Sequence, residues 1–215
     1  RAHTRYELKD WKGSVEDFEK LLTNGRPEPE IYQKVGTAQY HLKNYKGSAD
    51  ALGIAVQKGV KDKDVFVMNG FSHVQLGNCT EAIKNLTAAI AMGVTDKEVF
   101  YEVGLCRYRN KEYAASIEPL SRAINLGINT PEVFLMKGNA AFAGKDMDNA
   151  AKDLEKAVAL GAKDFEAFKN LGDIHFTKND FPVAIKNYDE AIKLSDKDAV
   201  VFNNRGKAKL NLKDY

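Results

Sequence analysis

Cysteine is almost missing from this chain: its 215 residues include two, Cys79 and Cys106, far too few for a disulfide framework. Two buried free thiols are the expectation, with an oxidised pair as the competing reading. Long apolar runs are missing too. No stretch approaches the roughly 18 consecutive apolar residues of a membrane span, so direct membrane insertion is not expected. Neither sign of charge dominates, since 32 Lys and Arg face 30 Asp and Glu for a net +2. No basic cluster stands out, and a surface that reads phosphates needs concentrated Lys and Arg. Nucleic acid is therefore not an expected partner.

The equipment of catalysis is equally sparse. His3, His41, His73 and His175 show no metal-ligand spacing, and no cysteine joins them. There is no GxxxxGK or GxGxxG phosphate cradle and no Gly-x-Ser-x-Gly elbow. No catalytic residue, cofactor or metal is expected, and the protein reads as non-enzymatic. The chain opens on Arg1 rather than Met. That start implies a missing native N-terminus in a soluble fragment, and it leaves the compartment unknown. The sequons Asn78-Cys79-Thr80 and Asn85-Leu86-Thr87 read as coincidence.

What is present is repetition, the first property to test in any chain. Glycines stand at 36, 70, 104, 138, 172 and 206, always 34 residues apart. Four residues before each lies an aromatic: Tyr32, Phe66, Phe100, Phe134, Phe168 and Phe202. Twelve residues after come Ser48, Ala82, Ser116, Ala150 and Ala184, and nineteen after come Ala55, Ala89, Ala123, Ala157 and Ala191. Apolar residues at spacings of three and four, such as Phe181, Ala184, Ile185, Tyr188, Ala191 and Ile192, make each unit a pair of amphipathic helices. Asp62, Asp96, Thr130, Asp164 and Asp198 take the N-cap position, and Pro131 takes the first helical position. Gly25, Gly59, Gly93, Gly127 and Gly161 end the second helices, and the Val, Ile or Ala that follows the last four suits a Schellman ending. Pro119 should bend the helix that holds it.

These columns resemble the tetratricopeptide repeat, with its aromatic, its glycine and its spaced alanines. The resemblance covers the whole chain as one array over 1–215. It divides into a partial repeat at 1–27, full repeats at 28–61, 62–95, 96–129, 130–163 and 164–197, and a half repeat at 198–215. Two departures stand out. The usual inter-repeat proline is replaced by the glycine ending, and aromatic bulk moves one residue past the tyrosine column, to Tyr40, Tyr108, Phe142 and Phe176. The implied fold is all-α: a right-handed α-solenoid of helix-turn-helix repeats stabilised by nearest-neighbour interfaces.

The resemblance also implies that the first helices line a concave side, where positions three before and one after the repeat glycine hold partners. The stretch "EVFYEVGLCRY", residues 98–108, carries more apolar residues than one core stripe needs, and Tyr101 and Leu105 fall at those two positions. Along the chain the pair of columns is polar at the ends and apolar in the middle. The expected groove comprises Val67, Phe71, Tyr101, Leu105 and Leu135, with Met68 and Met136 adjacent and Asn139 and Lys169 continuing it. Contiguous apolar patches of this kind mark binding surfaces. The competing reading packs these residues between repeats or against a neighbouring subunit. The acids Glu30, Asp64, Glu98, Glu132 and Glu166 form a row, but each sits in a first helical turn, where the dipole favours negative charge.

A carboxylate clamp for chaperone tails is not expected, because Lys169 and Asn204 fit its pattern but Asp173 stands where asparagine is required. The expected function is a scaffold holding an apolar protein or peptide segment in that groove. Self-assembly into homo-oligomers and service as the recruiting arm of a larger enzyme are the alternatives.

Overall fold

Helices form where the 34-residue pattern puts them. The computed structural model describes residues 1–25 and 28–212; Arg26, Pro27 and residues 213–215 of the expected terminal repeats lie outside the described residues. Two compact units result, Arg1–Asn110 and Lys111–Tyr215. The first contains α1 (Ala2–Glu7), α2 (Trp11–Thr23), α3 (Pro29–His41), α4 (Tyr45–Gln57), α5 (Lys63–Gln75), α6 (Cys79–Ala91) and α7 (Lys97–Arg109). The second contains α8 (Tyr113–Asn125), α9 (Pro131–Ala143), α10 (Met147–Ala159), α11 (Phe165–Thr177), α12 (Phe181–Leu194) and α13 (Ala199–Leu212). Helices α3, α5, α7, α9, α11 and α13 begin at 34-residue intervals, as do α2, α4, α6, α8, α10 and α12.

Within each unit every helix packs on its successor. The odd-numbered helices also touch one another, α3 with α5 and α5 with α7 in the first unit, α9 with α11 and α11 with α13 in the second. Enclosed side chains recur in register. The alanines from Ala55 to Ala191 and the Ser or Ala column from Ser48 to Ala184 are 0% exposed, as are Leu52, Leu86, Leu120, Leu154 and Tyr188, sixteen residues after successive glycines. The aromatic column is less uniform: Phe100 and Phe134 are buried, and Phe202 is exposed.

The repeat glycines explain their own spacing. A methyl group at Gly36 would stand 2.5 Å from Leu52 Cγ and 2.9 Å from the Leu52 backbone nitrogen. Gly70 meets Leu86 and Gly138 meets Leu154 in the same way, while Gly172 lies against the Tyr188 ring. Only glycine lets the two helices of a hairpin approach this closely.

Helix ends follow from local hydrogen bonding. The side chains of Asp62, Asp96 and Asp164 accept from backbone N–H groups of α5, α7 and α11, and Asp198 accepts from Val200 at 2.9 Å. Thr130 corrects the expectation in part, since it stands at the cap of α9 but its hydroxyl makes no cap bond. Gly59, Gly93, Gly127 and Gly161 are all left-handed, and Val60, Val94, Ile128 and Ala162 donate back to Ala55, Ala89, Ala123 and Ala157 at 3.0–3.1 Å, which closes Schellman motifs. The odd-numbered helices end the same way, a feature the sequence reading did not anticipate. Their left-handed residues are Lys9, Lys43, Gly77, Lys111, Lys145 and Asn179, so five of the six positions there lack glycine. Helix α8 runs through Pro119, which is buried.

Candidate functional site

In the first unit the expected groove residues fall on α5 and α7. Val67 and Phe71 are a turn apart on α5 and half-buried, packed beside the enclosed Leu86, Val99 and Val103. Together with Val94 and Val99 they line an open cavity of about 490 Å³ whose rim carries Lys63, Asp64 and Asp96. The wall formed by residues 93–96 is braced: Gly93 is left-handed, Val94 donates to Ala89 at 3.1 Å, and Asp96 accepts from the Glu98 N–H at 2.8 Å. Met68 is half-buried, and so are Tyr101 and Leu105 on α7. None of these side chains is enclosed, and none stands free in solvent.

The second unit treats its members differently. Met136 is buried, 8% exposed, so it belongs to the core rather than to a partner-facing surface. Leu135 packs against the cluster of Ala141, Leu154 and Leu171. Asn139 Oδ1 accepts from Asn170 Nδ2 at 2.9 Å. Lys169 Nζ lies 3.3 Å from Asp198 and 3.8 Å from Glu166, which answers most of its charge. Asp173, which spoils the carboxylate clamp, accepts from Tyr188 Oη at 2.7 Å and from Asn204 Nδ2 at 3.1 Å.

Among the described residues no three His, Cys, Asp or Glu side chains come together to hold a metal. Cys79 and Cys106 are buried free thiols that meet in one small cluster with Ala82. Burial, reinforced by the hydrogen bond to Cys79, pushes the Cys106 thiol up to about 12, so it stays protonated and unreactive. Burial also raises the Glu102 carboxyl above its ordinary range, against a smaller opposing pull from Arg109, and Glu102 Oε2 is buried without a hydrogen-bond partner. Sequence reasoning missed Glu102, although the signal was available: it interrupts a column two before the glycine that holds Met68 and Met136. Asn85 is buried, and its amide donates to the Glu81 carbonyl at 2.8 Å, a poor place for a glycan.

The tetratricopeptide repeat family model matches residues 68–131 and 135–199, more than half of the chain. The chain belongs to this family. As a tetratricopeptide repeat protein it is a helical-repeat scaffold for binding protein or peptide partners, in a fold that is generally non-catalytic. No functionally curated protein matches its sequence. Solved structures share the fold at low identity. YrrB, a TPR protein with an unusual peptide-binding site, is 17% identical with a TM-score of 0.67, over 89% of this chain and 99% of that one. A MamA protein is 20% identical with a TM-score of 0.61, over 79% of this chain and 92% of its own. MamA 41-end from Desulfovibrio magneticus RS-1 is 14% identical with a TM-score of 0.59, over 80% and 97%. Among the described residues of this tetratricopeptide repeat chain, no helix is long and apolar enough to cross a membrane.

Proposed function

We propose that this tetratricopeptide repeat protein holds an apolar peptide segment of a partner protein against α5 and α7. The observation that carries the reading is the cavity of about 490 Å³ floored by Val67 and Phe71. Met68, Tyr101 and Leu105 extend the same first-helix face, and Leu135, Asn139 and Lys169 offer a separate, more polar surface on the second unit. YrrB, which shares the fold, has a peptide-binding site. Fully burying a side chain of this size yields roughly 1.5–3 kcal/mol. Association costs an estimated ~4–15 kcal/mol, so it takes about five anchored side chains, on the order of 10 kcal/mol gross, to give a modest, reversible affinity. The test is selection from a displayed random-peptide library on the wild type and on a Val67→Ser/Phe71→Ser variant. The reading expects enrichment of segments with large apolar residues on the wild type and its loss on a variant that melts normally. A library that yields nothing, or the same peptides on both proteins, overturns it. A parallel Tyr101→Ala/Leu105→Ala variant should lose capture with little change in melting, whereas a large drop in melting would assign that pair to the core.

A second reading, self-association, is favoured by one observation: α13 exposes Val200, Phe202, Leu210 and Leu212. Sedimentation over a concentration series should then show mass rising with concentration, and the rise should vanish in Val200→Lys/Leu210→Lys. A constant monomer mass would end this reading.

A further inference from the structure

A second cleft of about 470 Å³ opens between α4 and α6, with α5 behind it. It shares no lining residue with the cavity at Val67 and Phe71. At its floor Asn69, 3% exposed, donates through Nδ2 to Asn85 Oδ1 at 3.1 Å. The orientation of both amides is forced. Asn85 Nδ2 already donates to the Glu81 carbonyl at 2.8 Å, so Asn85 presents its oxygen to Asn69 and Asn69 must answer with its nitrogen. Asn69 Oδ1 is thereby left as a buried acceptor without a donor, and the neighbouring His73 Nδ1 is buried and unpartnered as well. Burial holds His73 below its ordinary pKa despite the nearby Glu81 and Asp50, and with Lys84 opposing them, so its ring is neutral, with one nitrogen that accepts and one that donates.

The rim continues the theme. Asp50 lies at its mouth, and the only basic residue there, Lys84, is engaged with Glu81 at 3.2 Å. Asp50 at the mouth and Asn69 Oδ1 at the floor are acceptors, while Gln57 and the remaining N–H groups of Lys84 add donors at the edge. Ile54, Phe66 and Ala88 supply an apolar stretch of wall. Leaving a buried acceptor unsatisfied is unfavourable, and each such group in a native fold calls for a partner. A ligand matched to this cleft brings several donors, a positive charge and an apolar stem. Guanidinium supplies five N–H donors on a plane that stacks on aromatic faces, carried on a methylene chain that lies along apolar walls.

We infer that the cleft between α4 and α6 holds the arginine side chain of a partner protein, its stem along Ile54 and Phe66 and its guanidinium toward Asp50, His73 and Asn69. The site is independent of the groove at Val67 and Phe71.

The experiment titrates Nα-acetyl-arginine-methylamide into the ¹⁵N-labelled chain and follows the amides of Gly53, His73 and Ala88 by NMR, with the citrulline analogue as a neutral control of the same length. Saturable shifts with the arginine compound and none with citrulline are expected. Asn69→Leu should weaken binding by about tenfold, the value of a hydrogen bond to a charged group. Asp50→Asn, at an exposed position that leaves the core untouched, should weaken it several-fold and keeps the test decisive if the Asn69 variant misfolds. Val67→Ser/Phe71→Ser should leave the titration unchanged, which separates this cleft from the groove. No saturable shift, equal shifts with citrulline, or a titration indifferent to Asp50→Asn would overturn the assignment.

Discussion

Gly36 and Gly53 are both helical, and their surroundings assign them opposite responses to the same substitution. A methyl group at Gly36 runs into Leu52, including its backbone nitrogen, whereas nothing lies within 4 Å of one at Gly53. Gly36→Ala should lose about 1–3 kcal/mol through overpacking. Gly53→Ala should gain about 0.5–1 kcal/mol, because glycine in a helix interior gives up more backbone entropy than alanine. Chemical denaturation of the two variants checks both signs. Glu102 offers a separate residue-level test. Its pKa is raised in the fold from an ordinary 4.5, chiefly by burial. Its stabilising contribution is therefore present below that ordinary value and is lost as pH rises through the raised one. Glu102→Gln should accordingly melt higher than the wild type near neutral pH, and the difference should close on acidification toward the ordinary glutamate range. A gap that stays constant across pH would show that the carboxyl is not desolvated.

At the scale of the helix, the endings are the least optimised part of the molecule. Lys43 and Lys145 hold φ near 60° at the position after the helix where glycine is usually found. A residue with a Cβ is disfavoured in this conformation by roughly 1–2 kcal/mol, and part of that is offset by the freedom glycine loses on folding. Lys43→Gly and Lys145→Gly should each raise stability by up to about 1 kcal/mol. At the opposite end of a helix, Asp164 Oδ1 accepts the Ala167 N–H at 2.8 Å. Asp164→Ala should lower stability by about 1 kcal/mol, with the lost protection confined to the first turn of α11. Equilibrium denaturation with hydrogen exchange reads both changes.

For the molecule as a whole, stability is a sum of hairpins and of the interfaces between neighbours. Leu86 is 0% exposed and shares a cluster with Val99 and Val103, beside Val67 and Phe71. Leu86→Ala should lose about 2–5 kcal/mol, and its effect should travel no further than the adjoining helices. Hydrogen exchange is expected to quicken in α5, α6 and α7 while α11 and α12 keep wild-type protection. Uniform loss through both units would show that the array folds as one indivisible body. The same locality bears on function. The groove proposed on α5 and α7 should then be open to alteration without unsettling hairpins several repeats away.

The 34-residue spacing alone was enough to place the helices, their glycine endings and most of the enclosed columns, because burial in a repeat recurs whenever the same contact recurs. The family resemblance was legible in those columns too, and so was the apolar face of α5 and α7. Polar partnership was not. Lys169 with Asp198, Asn139 with Asn170, and Asn69 with Asn85 join side chains 16 to 31 residues apart; the same columns meet again as Gln33 with Asp62, Asp173 with Asn204, and Lys137 with Asp153, but with different residue types each time. Met136 has a groove position in the pattern yet sits in the core, and lysine takes a left-handed turn where glycine was the rule elsewhere. Periodic apolar burial is written into sequence spacing because every repeat solves the same packing problem. Which charge meets which, and which acceptor is left waiting, depends on where individual side chains converge, and only the folded structure brings them together.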